Sequence, residues 1–150
     1  MTLSVQGREA TLKHFANAHT DGDTYVYFAG ASVLSAGDIV TLGTRYPNID
    51  FANGGTIDGM ITATDVYLSL ANDGTKIVPG HGATDQQGRG HGLPRDAHDG
   101  AGPRREADAD GKSLDDAVAA KPFADIGARI DANEEQNANF VRVIYHSLKP

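Results

Sequence analysis

A layered α/β fold is what this chain's changing periodicity predicts. Short runs rich in β-branched and aromatic residues come first, a stretch with helical spacing follows, and "KIVP" at Lys76–Pro79 returns to strand character. Strand, helix, strand in that order is the unit from which layered α/β proteins are built, with helices covering a sheet.

The early strands fall at residues 3–5, 10–15, 24–29 and 32–35, with turn signals at Gly7, "TDGD" and "AGA". In "GGTIDGMITATDVYLSLANDG" the spacing turns helical. Ile57, Met60, Ile61, Thr64 and Leu68 share one stripe, Thr56 is placed to cap the N-terminus, and Gly74 lies past the end. From Ala83 to Gly111 the only large apolar residue is Leu93, so that stretch has no face to bury and reads as a long loop or disorder. Order resumes where Ser113 with Asp116 caps a short helix through Ala120 and Pro122 ends it. Asn133 with Gln136 then opens a last helix whose Phe140, Ile144 and Leu148 share a face. The expected organisation is a β/α unit over 1–82, an irregular segment over 83–111, and closing helices of the same domain over 112–150.

Composition narrows the function classes. With 150 residues the chain is long enough for one domain with a real core. A formal charge of -7 and the lack of a basic stripe argue against a nucleic-acid partner. Arg89, Arg95, Arg104 and Arg105 cluster, but interspersed Asp and Glu cancel them. Cysteine is absent, so any metal must rest on His and carboxylate. No apolar run reaches membrane-spanning length, and the first residues lack the layout of a signal peptide. The chain reads as soluble, with no membrane partner.

Three side chains carry the chemistry. "NAHTDGDTYVYF" puts His19 in a polar loop before a strand, "VLSAGD" puts Asp38 just after one, and "KIVPGHG" puts His81 just after another. Loops at one edge of a layered α/β fold converge, so these three are expected to meet. Two imidazoles and a carboxylate suit zinc. Taken singly, each has a plainer reading, a solvated loop histidine or a turn aspartate. Asp21 and Asp23 are more naturally turn caps or groups that orient His19 than ligands. Tyr46 and Asn48 in "RYPNID" either line a pocket or pack their loop.

Together, "AHTDGDTYVYF", "VLSAGD", "RYPNIDFANGGTIDGMI" and "TKIVPGHG" resemble the C-terminal half of the metallo-β-lactamase fold hydrolases. The resemblance runs from about Val5 to Gly82 and resumes at "DGKSLDDAVAAKPFADI" through "FVRVIYHSL". It implies an αββα sandwich, of which this chain is the C-terminal half, with the metal site at one edge. It further implies two zinc ions: the position matching His19 binds the first, that matching Asp38 bridges both, and that matching His81 binds the second. Such a pair, about 3.5 to 4 Å apart, holds a hydroxide that attacks a carbonyl or phosphoryl centre. In the complete protein the substrate would be a small molecule with an amide, lactone, thioester or similar bond.

The sequence departs from the family twice. The His-x-His-x-Asp-His signature, which supplies four further ligands, is nowhere in the chain, and His14, His91, His98 and His146 are isolated. Zinc binding is therefore expected to be partial or absent, with little turnover, and Met1 reads as an internal start or fragment boundary. Three readings follow: a piece of a dinuclear zinc hydrolase, a non-catalytic remnant, or an interaction half-domain. The last would complete its fold with another chain carrying the N-terminal half, or pair with itself as a homodimer through an exposed sheet face. The second departure is the irregular segment, where relatives have an amphipathic helix. Back-translating 84–109 with free synonymous codons and reading from the second nucleotide yields a string with apolar residues at helical spacing, which points to a stretch translated out of frame. Sequencing the coding DNA tests this. The expected outcome is a correctable shift between Ala83 and Gly111, and a single open frame lacking those codons rejects it.

Overall fold

The computed structural model describes residues 1–41, 46–81 and 113–147. The irregular segment, its arginine cluster and the out-of-frame reading all lie outside the described residues, as does Leu148. Within them the chain is mixed α/β, with a five-stranded sheet and four helices, and it divides into two compact units.

The first unit is the sheet and one helix. Strands β1 (Thr2–Val5), β2 (Arg8–His14), β3 (Thr24–Phe28) and β4 (Val33–Thr41) pair antiparallel in sequence order. β5 (Lys76–His81) then joins β4 in parallel after a helical crossover through α1 (Ile57–Leu70). Thr56 caps α1 as expected, its Oγ1 accepting from the Gly59 amide at 3.0 Å. The helix closes at Leu70 with Ala71 as its C-cap, several residues before Gly74.

Two strands outrun their sequence-based ends, and this moves two site residues. β4 continues through Thr41 and β5 runs through Pro79 to His81, so Asp38 lies within a strand and His81 is the last residue of one, rather than each standing in the loop that follows. Pro79 is tolerated because β5 is an edge strand, where the missing N–H need not feed a ladder.

Alternation across the strands decides where the core sits. The cross-strand row Thr11, Tyr27, Leu34 and Ile77 includes the fully buried Leu34 and Ile77. The alternate row carries Leu12, Val26, Ser35 and Val78 on the opposite face, where Val78, Phe28 and Leu3 stay exposed. α1 covers the first face with Ile57, Met60, Ala63, Thr64 and Tyr67. Ile61 and Leu68, expected on that stripe, are only half-buried, and Ala63 and Tyr67 take their places. The Tyr67 ring packs against Phe15 and Tyr25 with centroids 5.6 Å from each. Its hydroxyl donates to the Ala36 carbonyl at 2.8 Å, and burial pushes that hydroxyl well above its usual range.

The second unit is helical. α2 (Leu114–Ala119) is capped by Ser113, whose Oγ accepts from the Asp116 amide. α3 (Ala124–Arg129), not anticipated from the sequence, has no side-chain cap. α4 (Glu134–Ser147) opens with the expected reciprocal pair: the Asn133 amide donates to Gln136 Oε1 at 2.8 Å, and the Gln136 amide donates to Asn133 Oδ1 at 2.9 Å. Tyr46 belongs to this unit and stacks on Phe140 at 4.1 Å, its hydroxyl donating to Asn137 Oδ1 at 2.6 Å. The structure shows Tyr46 packed, and against the last helix rather than within its own loop. Among the described residues no helix is long and apolar enough to cross a membrane.

Tyr67→Phe leaves the rings packed but removes the buried hydroxyl's bond to the Ala36 carbonyl. It should cost about 1–2 kcal/mol of the first unit's stability, read by urea denaturation monitored on the sheet.

Candidate functional site

The loop that carries His19 is tied down on two sides. Thr56 at the start of α1 donates its amide to the Asn17 and Ala18 carbonyls at 2.9 Å and its Oγ1–H to Asn17 at 2.7 Å. The Asp50 amide donates to the His19 carbonyl at 2.9 Å. Asp50 is itself held: Asn53 donates its side-chain amide to Oδ2 at 2.7 Å and its backbone N–H to Oδ1 at 3.2 Å. The Asn53 side-chain bond is the main reason the Asp50 carboxyl sits below its usual range, aided by the nearby His19. On the other flank, Asp23 accepts from the Thr20 amide at 2.7 Å and the Asp21 backbone carbonyl meets the His14 ring at 2.5 Å. Asp23 thus acts as a turn cap.

His19 is mostly buried, with 13% of its side chain exposed. Its Nδ1 lies 3.0 Å from the Asn48 backbone carbonyl, which can only accept, so Nδ1 carries the proton and donates. That leaves Nε2 facing Asp38 Oδ2 at 3.6 Å. On the other side of the same carboxylate, His81 Nε2 stands 3.5 Å from Oδ1. The fold therefore brings His19, Asp38 and His81 together, each Asp38 oxygen addressing a different imidazole. Asn48 contributes through its backbone, which no sequence motif signals.

Both separations are too long for hydrogen bonds, which lie at about 2.7–3.2 Å. They match the distance between two ligands of one four-coordinate zinc, about 3.3–3.6 Å for bonds of about 2.0–2.2 Å. A nitrogen lone pair aimed at a carboxylate oxygen is repulsive unless positive charge, a proton or a cation, stands between them. The donor types fit zinc, and the number does not. Among the described residues no three His, Cys, Asp or Glu side chains are arranged to hold a single ion. What the chain offers is two donor pairs that share Asp38, short of the three protein ligands a catalytic zinc normally keeps. His81, with 67% of its side chain exposed, is the looser of the two imidazoles.

No family model matches the chain, and no curated protein does. Solved structures do. A metallo-beta-lactamase family protein from Thermus thermophilus matches with a TM-score of 0.55 at 18% identity, over 97% of this chain and 46% of that one. Metallo-beta-lactamase IND-7 matches with a TM-score of 0.52 at 19% identity, over 66% of this chain and 43% of that one. The likeness establishes the fold: the five-stranded sheet and four helices are those of the metallo-β-lactamase fold. The chain spans less than half the length of either structure.

The Asp50 anchor makes the His19 loop pH-sensitive. Because its carboxyl is lowered in the folded state, its hold is complete above the ordinary carboxylate range and is lost as pH falls below that range through the lowered folded value. The protection of the Asn53 amide against exchange, taken relative to its intrinsic rate at each pH, should fall on acidification in that window, and Asp50→Ala should show the lower protection at neutral pH.

Proposed function

We propose that the chain supplies one half of the dinuclear zinc site of a metallo-β-lactamase-fold hydrolase, with His19 and His81 as terminal ligands and Asp38 as the bridging one. The observation that carries this is the Asp38 carboxylate standing between two imidazole Nε2 atoms, one per oxygen. When bound, the metals would supply a hydroxide nucleophile at neutral pH for an amide, lactone, thioester or similar bond in a small molecule. This chain's own residues hold and orient. The Asn48 carbonyl fixes the His19 tautomer, α1 and Asp50 fix its loop, and Asp38 spans the gap between the rings.

With two donors on each side, the chain alone should bind zinc weakly and turn over little, and a complete site would draw its remaining ligands from a further polypeptide segment. On this reading the chain is a fragment of a longer hydrolase.

The exposed face bearing Leu3, Phe28 and Val78 favours a second reading, an interaction half-domain that completes its fold with another chain or with its own copy.

Calorimetric titration with zinc at neutral pH, alongside an assay with lactone, thioester and β-lactam substrates, tests the proposal. Weak zinc binding that falls at least about tenfold in Asp38→Ala, with hydrolysis close to the buffer rate, is the expected result. Zinc affinity indifferent to Asp38→Ala removes the assigned site, and rapid hydrolysis by the chain alone removes the half-site reading. Sedimentation as a monomer at micromolar concentration would remove the self-paired form of the second reading.

A further inference from the structure

Gly37 and Gly80 lie on the adjacent strands β4 and β5, and both bear on Asp38. Gly37 has φ of +59°, in the left-handed region that side-chain-bearing residues rarely adopt. The parallel ladder loses register on both sides of it, between Ser35 and Gly37 and again between Gly37 and Thr41. Asp38 is the next residue, inside that irregular stretch. Gly80 faces it from the neighbouring strand, so close that a Cβ there would overlap Asp38 Oδ1 and crowd the Asp38 amide and the Gly37 carbonyl carbon. Gly80 thus leaves room for nothing larger than hydrogen beside the carboxylate.

We infer that Gly37 and Gly80 are positioning residues that together set where the Asp38 carboxylate stands between His19 and His81. Gly37 turns the strand so that Asp38 leaves the regular pleat, and Gly80 opens the slot the carboxylate occupies. A bulge of this kind re-aims a side chain that a regular strand would direct elsewhere. Neither glycine has a side chain to bind an ion; both act through Asp38. The consequence for zinc rests on the half-site reading above, whereas the consequence for the metal-free carboxylate does not.

Ring-nitrogen NMR of the six histidines in the metal-free chain separates the two, with zinc affinity measured beside it. Gly80→Ala should displace the carboxylate by on the order of 1 Å. The ring signals of His19 and His81 should shift while those of His146, in the helical unit, hold still. Zinc affinity should drop about 10- to 100-fold. Unchanged His19 and His81 rings in a folded Gly80→Ala chain overturn the inference, as does a shift spread equally over His146. If the wild-type chain binds no zinc, the proposed function fails, and the ring signals alone still judge the glycines. Should Gly80→Ala not fold, Gly37 decides. Asn tolerates positive φ, so Gly37→Asn should keep the wild-type His19 and His81 signals and Gly37→Ala should lose them. Equal behaviour of those two variants overturns the inference.

Discussion

The parallel pairing of β4 with β5, and the place where it breaks, is the constraint on which the site depends. Over Val33–Ser35 and Lys76–Val78 the ladder is regular, and it buries Leu34 and Ile77 beneath α1. That buried row sets register strongly, because a one-residue slip of β5 would turn Ile77 out to the opposite face. Past Ser35 the register is lost, and the backbone is free to send Asp38 toward the imidazoles. A sheet regular to its end would hold Asp38 in the ordinary alternation of the pleat.

Electrostatics then makes the arrangement directional. The Asn48 carbonyl holds a proton on His19 Nδ1, so Nε2 is the nitrogen left to face Asp38, and His81 presents its own Nε2 to the other oxygen. Such a cluster is stable when positive charge enters it, which is the property of a metal-binding edge. The number of donors limits how far that goes. Two per ion would hold zinc only loosely, and the matched structures are more than twice as long as the portion this chain overlaps.

Much of the scaffold was legible in residue order because local rules and tertiary packing agree there. Thr56, Ser113 and the Asn133–Gln136 pair announce helix starts, and each makes the bond its type implies. His19, Asp38 and His81 were legible as a convergent set. The strand ends were not: "SAGD" and "PGHG" read as turns, since Gly and Pro punctuate loops far more often than they build bulges and edge strands. Tyr67 was passed over in favour of Leu68 because its hydroxyl counts as polar until a buried carbonyl is found for it. α3 carries Gly127 and no side-chain cap, so nothing local marks it. The Asn48 carbonyl and the Gly80 slot are backbone features that exist only once two distant segments meet.

The central claim is that this fold holds one carboxylate between two imidazoles as a cation site. The most direct test is an anomalous difference map from crystals of the chain soaked in zinc. The account predicts density about 2.0–2.2 Å from an Asp38 oxygen and from Nε2 of His19, His81 or both. Zinc bound only elsewhere, with the Asp38 carboxylate turned away from both rings, would contradict it.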